Sequence, residues 1–169
     1  MPRISEFDMM SLIGRILSLW KKPPSPPLHF KGIAATTDVD RQGEMISLQA
    51  LENMSKAREI GMFSGHWRPH QKRIGHVTKI WVDGDALHVK GVLDANLPDV
   101  RRIEKVLHRD EKLALSVGGV IRQAHYESVG KADKIRVIDV AKLDHIVICH
   151  SNQSINPMTH MNIEEEEAK

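Results

Sequence analysis

The sequence is poor in aromatic residues, in cysteine and in long apolar runs. Aromatic residues make up only 4% of its 169 residues, so a core has to be built mainly from Val, Ile, Leu and Met. The single cysteine, Cys149, excludes an intrachain disulfide and is typical of a reducing compartment. No run approaches the roughly 20 apolar residues that span a membrane, and the first residues lack the features of a signal peptide. We therefore expect the protein to act in a cytoplasm or inside a particle assembled there.

Length and charge narrow the class of protein further. A chain of this length with 41% hydrophobic residues is expected to form one domain with a real core. The formal net charge of +2 is too close to zero to predict nucleic acid or a membrane surface as partner.

Composition divides the chain into four segments. Residues 1–20 include an amphipathic helical pattern over 4–20, and residues 21–27 form a proline-rich linker that cannot be helical. Residues 28–157 form the main domain, and residues 158–169, with the acidic run 164–167, are expected to be a disordered tail. The apolar face of the first segment is expected either to fold back on the domain or to bind another protein or a second copy of this chain.

The main domain is predicted to be α+β and rich in strands. Two predicted strands flank the turn Asp83-Gly84-Asp85, which is a strong hairpin signal. A helix is predicted from Leu97, with Asn96 as its N-cap. The other predicted elements are a strand over 30–36, a turn over 38–43, a helix from 46 that ends near 61, and strands over 113–126, 135–140 and 143–149.

Ser116 is the first candidate for chemistry. It lies within an apolar strand and is followed by Val117, Gly118 and Gly119. Glycines in a strand interior indicate a bulge or the close approach of another backbone, and a nucleophilic serine needs such room for the substrate carbonyl. Nearby backbone N–H groups, here those of Gly118 and Gly119, can face the oxyanion. The same pattern also fits a core serine that bonds to a neighbouring carbonyl.

Two further segments supply partners for a serine nucleophile. His66 lies where a predicted strand ends in a polar loop, a position that suits a neutral general base, although a histidine there is often incidental. Asp144 and His145 lie in a predicted strand and point to opposite faces, so only one of them can orient His66. Ser116, His66 and one of these two residues would form a nucleophile, a base and an orienting group.

A zinc site is the rival interpretation of the histidines. His66, His70 and His76 are close in sequence, and Cys149 with His150 could add ligands. However, Pro69 interrupts helical spacing between the first two histidines, and the sequence has neither an H-E-x-x-H motif nor a C-x-x-C pair. Cys149 lies in an apolar run, which favours a core cysteine over a nucleophile.

Taken in order, six blocks of the sequence resemble the prohead serine proteases of tailed phages, a family related to herpesvirus assemblin. The resemblance extends from about residue 30 to 157. The blocks are Gly32-Ile33-Ala34 followed by Asp40-Arg41-Gln42-Gly43, His66, Ile74-Gly75-His76-Val77, Asp85-Ala86-Leu87-His88-Val89, Leu115-Ser116-Val117-Gly118, and Leu143-Asp144-His145 followed by Asn156-Pro157.

The resemblance implies a fold and an activity. It implies a mostly antiparallel β-barrel wrapped by a few helices, as in the herpesvirus proteases, with Ser116 as nucleophile and His66 as base. Most phage relatives have Glu where this sequence has His145, and the herpesvirus branch uses histidine there. His145 is therefore the expected third member, with Asp144 as the alternative.

The resemblance also implies partners. Members of this family are packaged in the immature capsid, cut scaffold protein or the scaffolding segment of the capsid protein, and often cut themselves; self-association is a further possibility. No metal or cofactor is required. The alternative functions are a non-catalytic capsid-assembly module with the same fold and a zinc-dependent hydrolase.

Overall fold

The computed structural model describes residues 24–65, 72–109, 111–130 and 133–164. His66, His70 and the predicted helix over 4–20 lie outside these ranges. Residues 24–27 of the proline-rich segment are neither helix nor strand, and the first strand begins at Leu28. Within the described ranges, no helix has the length and apolar character needed to cross a membrane.

The described part of the chain forms eight strands and two helices. The strands are β1 (Leu28–Thr36), β2 (Glu44–Ile46), β3 (Gly61–Phe63), β4 (Gly75–Asp83), β5 (Ala86–Leu93), β6 (Leu113–Val129), β7 (Asp133–His150) and β8 (His160–Ile163). The helices are α1 (Leu48–Ser55) and α2 (Pro98–Leu107). Seven strands close a barrel in the order β7-β3-β4-β5-β1-β8-β6, and β6 pairs again with β7. The pairing is antiparallel except where β3, and the additional strand β2, run parallel to β7. The predicted α+β, mostly antiparallel barrel is confirmed at this level.

The barrel encloses an aliphatic core, as the composition predicts. Phe30 is its one fully buried aromatic side chain among the described residues, and the other large ones are aliphatic or Met. Each fully buried Leu, Ile or Met side chain stabilises the fold by about 1.5–3 kcal/mol relative to exposure. The fully buried members include Leu51, Met62, Ile74, Leu87, Leu93, Leu115 and Ile146.

Most of the predicted elements are present. β1 and α2 lie where the periodicity places them, and α1 begins near its predicted start but ends at Ser55 instead of near residue 61. The hairpin β4–β5 turns at Gly84, whose φ of 59° suits a residue without a side chain. The Asp40 carboxylate accepts from the backbone N–H groups of Gln42 and Glu44, which fixes the predicted turn.

Three other predictions of local structure are wrong, and one short strand is missed. Asn96 is not the N-cap of α2: Leu97 occupies that position without a side-chain cap, while Asn96 bonds to Asp94 before Pro98 starts the helix. The two strands predicted over 135–140 and 143–149 are one strand, β7, which continues through Ala141 and Lys142 because these residues pair with Ile121 and Val120 of β6. Residues 160–163, which the sequence predicts to lie in a disordered tail, form β8. The short strand β2 was not predicted.

The hairpin of β6 and β7 is the longest feature of the fold. Its distal half carries exposed side chains from residue 119 to 129, including Val120, Ile121, Tyr126 and Val129. Within this half His125 is held between two carboxylates: its Nδ1 lies 2.7 Å from Asp139 Oδ2 and its Nε2 lies 3.0 Å from Glu127 Oε1. The hydrogen bond to Asp139, and then that to Glu127, raises the pKa of His125 above its ordinary value.

This cluster predicts a pH-dependent stability. Because the folded-state pKa of His125 is raised, its stabilising effect is fully present below the ordinary histidine pKa and is lost as the pH rises through the raised value. We expect the difference in melting temperature between wild type and His125→Gln to be larger at pH 6 than at pH 9. Thermal denaturation at both pH values measures it, and an equal difference at the two would contradict the role of the cluster.

Candidate active site

Ser116 lies on the outer face of the barrel, on β6. Its neighbours Leu115 and Val117 belong to the core or pack against it, and alternate residues of a strand point to opposite faces. Ser116 is opposite Val147 of β7, and Val147 is opposite Phe63 of β3. These three residues therefore form one row across three adjacent strands, and Ser116 itself is half-buried.

His145 lies in the next row of the same face. Its partners are Gly118 on β6 and Gly61 on β3, so a glycine flanks it on either side. The imidazole is only 6% exposed, and the Phe63 ring lies against it edge to face, with 5.9 Å between the ring centroids. His145 is thus a diagonal neighbour of Ser116, a relation in which the residues are about 7–8 Å apart.

The position of the His145 imidazole requires a residue without a side chain at Gly118. A Cβ added at Gly118 would overlap the imidazole of His145, and one added at Gly119 would overlap the carbonyl oxygen of Lys142. The register shifts between these two glycines, where Asp144 is the extra residue of β7. The close approach and the bulge that the Gly-Gly pair predicts are therefore both present.

Asp144 and His145 differ in their surroundings. His145 is buried beside Gly118, whereas Asp144 at the bulge is exposed. A bulge bends its strand and changes the direction of the side chains next to it. Asp144 and His145 are adjacent in sequence, yet the carboxylate faces solvent and the imidazole is enclosed.

His66 follows β3, the strand that continues the row of Ser116. The last residue of β3, Phe63, is opposite Val147, and Ser64 and Gly65 come next. His66 itself lies outside the described residues, so its role as base stays a prediction.

A cleft of about 410 Å³ lies beside these residues. Its walls bring together residues from three of the six sequence blocks: Ala34, Asp40, Ser116, Gly118, His145 and Asn156. Its rim includes the exposed apolar side chains of Val120, Ile121 and Ile155. A cleft of this volume can hold a drug-sized ligand or a few residues of a peptide.

Sequence reasoning missed the contacts that hold this cleft together. Arg41 Nη1 donates to the carbonyl oxygens of Asn152 and Ser154, both at 3.0 Å. Asn156 Nδ2 donates to Thr36 Oγ1 at 3.0 Å. The turn after β1 therefore binds the loop before β8. The Asp-x-x-Gly turn and the Asn-Pro loop were both noted in the sequence, but nothing in the sequence signals that they pack against each other.

The residues weighed as zinc ligands are not gathered within the described ranges. In that part of the chain, no three His, Cys, Asp or Glu side chains are arranged as a metal site. Cys149 is half-buried, its Sγ lies 3.8 Å from the carbonyl oxygen of Ala114, and burial raises the pKa of its thiol.

Comparisons with known proteins add no relative. No protein-family model matches the chain, and no curated protein matches it either. The function has to be argued from the residues and their placement.

Because Gly118 contacts His145 closely, we expect the addition of one methyl group at position 118 to lower the stability of the fold and to move the His145 ring. In Gly118→Ala the added carbon must displace the His145 ring, so we expect a loss of about 1–3 kcal/mol in the free energy of unfolding and a shifted His145 imidazole resonance. Urea denaturation and NMR measure the two effects. Ser128→Ala, on the exposed part of the same strand, is the matched control, and a Gly118→Ala protein with wild-type stability and His145 resonance would show the contact to be unimportant.

Proposed function

We propose that the protein is a serine endopeptidase of the phage prohead-maturation type, with Ser116 as nucleophile, His66 as general base and His145 as the group that orients the base. The observation that carries this proposal is that Ser116, Gly118 and His145 line one cleft together with Ala34, Asp40 and Asn156 from the other blocks. Sequence blocks that are far apart along the chain thus meet at the serine.

The spacing of Ser116 and His145 supports the proposed set. A diagonal backbone separation of about 7–8 Å is within reach of long side chains, so an imidazole can lie between Ser116 and His145. A general base has to be within about 3 Å of the nucleophile on one side and of its orienting group on the other. The short strand β3, which is parallel to β7, brings the chain to within three residues of His66 in the row of Ser116.

The free edge of β6 supports a peptide substrate. Among the described residues, β6 pairs on its second side only at Leu113, which is opposite Met161 of β8. From Val117 onward this edge presents backbone N–H and C=O groups that an extended peptide can pair with. Every second N–H points to the edge, so those of Gly118 or Gly119 are available for an oxyanion.

In the proposed reaction Ser116 Oγ attacks the scissile carbonyl carbon while His66 takes the hydroxyl proton. Backbone N–H groups stabilise the oxyanion of the tetrahedral intermediate. The C–N bond then breaks, and the leaving amine receives the proton from His66. A water molecule then attacks the acyl carbon while His66 takes its proton. The ester C–O bond breaks, and His66 returns the proton to Ser116 Oγ. His145 accepts a hydrogen bond from the far nitrogen of His66 and so holds its ring. No metal or cofactor takes part.

The proposal also includes the type of barrel, the substrates and the place where the protein acts. The closed, mostly antiparallel barrel is compatible with the herpesvirus-protease type. The substrates are the scaffold protein or the scaffolding segment of the capsid protein, and the protein itself. It acts first in the host cytoplasm and then inside the immature capsid.

Ser116→Ala tests the mechanism directly. On co-expression with the capsid and scaffold proteins of the same genome, we expect processing to fall by at least on the order of a thousandfold, because the nucleophile is lost. Ser128→Ala is the matched control, since it removes the same hydroxyl from the exposed part of the same strand. Gel analysis of the capsid and scaffold proteins measures the result. Unchanged processing in Ser116→Ala would contradict the serine mechanism and favour a non-catalytic assembly module.

The third member can be tested by two neighbouring substitutions. We expect His145→Ala to lower kcat by on the order of a hundredfold or more, because His66 loses its orienting partner, while Asp144→Ala stays within a few-fold of wild type. Steady-state kinetics on a cleaved peptide measures both, and urea denaturation checks that each variant is folded. If Asp144→Ala is the slower enzyme, the carboxylate is the orienting group.

A further inference from the structure

The outward side chains of four neighbouring strands form a basic face. β4, β5, β1 and β8 follow one another in the barrel. Buried residues alternate along β1, and Lys31 is exposed between two of them, so it points away from the core. Lys31 is opposite Lys90 of β5 and Asn162 of β8, and Lys90 is opposite Lys79 of β4. Three lysines therefore form one row across three adjacent strands.

The rows on either side of the lysines add further basic groups. They contain four of the ten histidines of the sequence, namely His29, His76, His88 and His160. Glu164 continues β8 into one of these rows, since its backbone N–H donates to the carbonyl oxygen of His29. Among the described residues of the three rows it is the one carboxylate. The face therefore carries an excess of positive charge, although the whole chain has a formal net charge of only +2.

Glu164 already places one carboxylate on this face. Its Oε1 lies 2.6 Å from Lys90 Nζ. The hydrogen bond from Lys90, with a smaller effect of the Lys31 charge, holds the pKa of Glu164 below its ordinary value. Lys31 and Lys79 make no ion pair with another residue in the described part of the chain. One of the three ammonium groups in the row therefore has a carboxylate partner there, and the other two can take carboxylates from outside.

The lysine row is unfavourable without an anion. Like charges directly opposite each other destabilise a sheet, and adjacent strands are only about 4.8 Å apart. Lys79 Nζ lies 5.0 Å from the centroid of the Trp81 ring, and the His88 ring stacks on Trp81 with 5.3 Å between the centroids. Trp81 is thus engaged within the chain, whereas single-stranded nucleic acid is normally held by aromatic rings that stack on its bases. This arrangement favours carboxylates over nucleotides as the anions that the face receives.

We propose that this basic face, formed by the outward side chains of β4, β5, β1 and β8, is a docking surface for an acidic segment of another polypeptide. Carboxylates of that segment pair with Lys31 and Lys79, and with Lys90 when they displace Glu164. Glu164 is therefore an internal competitor of the partner. The four strands carry neither Ser116 nor His145, so this inference does not depend on the proposed function.

Binding of a fluorescein-labelled hexaglutamate peptide to the full chain tests the proposal. Fluorescence anisotropy is measured at low ionic strength, because salt screens pairs between exposed charges. We expect the double variant Lys31→Gln with Lys79→Gln to raise the Kd on the order of tenfold, since two charge pairs are lost. Lys105→Gln with Lys134→Gln is the matched control, because it removes the same two charges from exposed positions of α2 and β7.

Glu164→Gln is expected to have the opposite effect. It removes the internal competitor and leaves Lys90 without its carboxylate partner, so we expect the peptide to bind about two- to fivefold more tightly than to wild type. Lys31→Arg with Lys79→Arg keeps both charges and is expected to bind the peptide like wild type. Thermal denaturation checks that every variant is folded.

Three results would overturn the proposal. The first is equal affinity of the two lysine-to-glutamine double variants, which would place the peptide elsewhere on the chain. The second is no binding to Glu164→Gln, or binding no tighter than to wild type. The third comes from a labelled hexathymidylate oligonucleotide: if it binds more tightly than the peptide and is weakened by the same two substitutions on the basic face, that face receives nucleic acid instead of a polypeptide.

Discussion

The close contact between Gly118 and His145 is the constraint on which the candidate site depends. A buried imidazole takes the space that a side chain at Gly118 would fill, so the two strands can meet in this register only with glycine at that position. The register then decides the direction of Ser116, two residues earlier. A slip of one residue would turn Ser116 into the core and Leu115 to the outside, at the cost of burying a hydroxyl and exposing a fully buried leucine.

β7 connects this contact to the rest of the barrel. It pairs with β6 along its whole length, with β3 through His145 to Val147, and with β2 through Arg136 to Ile138. The bulge accommodates Asp144 as one extra residue of β7. Leu143 can therefore stay in the core while His145 stays beside Gly118. The strand therefore positions His145 directly, and it positions Ser116 and the end of β3 through their common partner Val147.

The sequence predicts what local signals determine and misses what only tertiary pairing determines. The hairpin at Gly84, the strand β1 and the meaning of Gly118-Gly119 are all readable, because turn chemistry and strand glycines have local causes. β8 is not: His160-Met161-Asn162-Ile163 precedes an acidic run and is a strand only because β1 and β6 flank it. The predicted break at residues 141 and 142 is absent because Ala141 and Lys142 pair with Ile121 and Val120 of β6, a pairing that the local sequence does not signal. Asn96 looks like a cap, but Asp94 binds it first. His66 remains a prediction from sequence.

The free edge of β6 links the stability of the fold to its proposed function. An edge that no described strand pairs with beyond Leu113, and that carries exposed apolar side chains such as Val120 and Ile121, is normally a template for aggregation, and proteins protect such edges with lysine, proline or covering elements. In β6 the residues from Val117 to Ile121 include no lysine or proline. An edge that has to accept the backbone of a substrate next to the nucleophile cannot be protected in that way. The aggregation-prone edge therefore includes the stretch where, on the proposed function, a peptide has to bind.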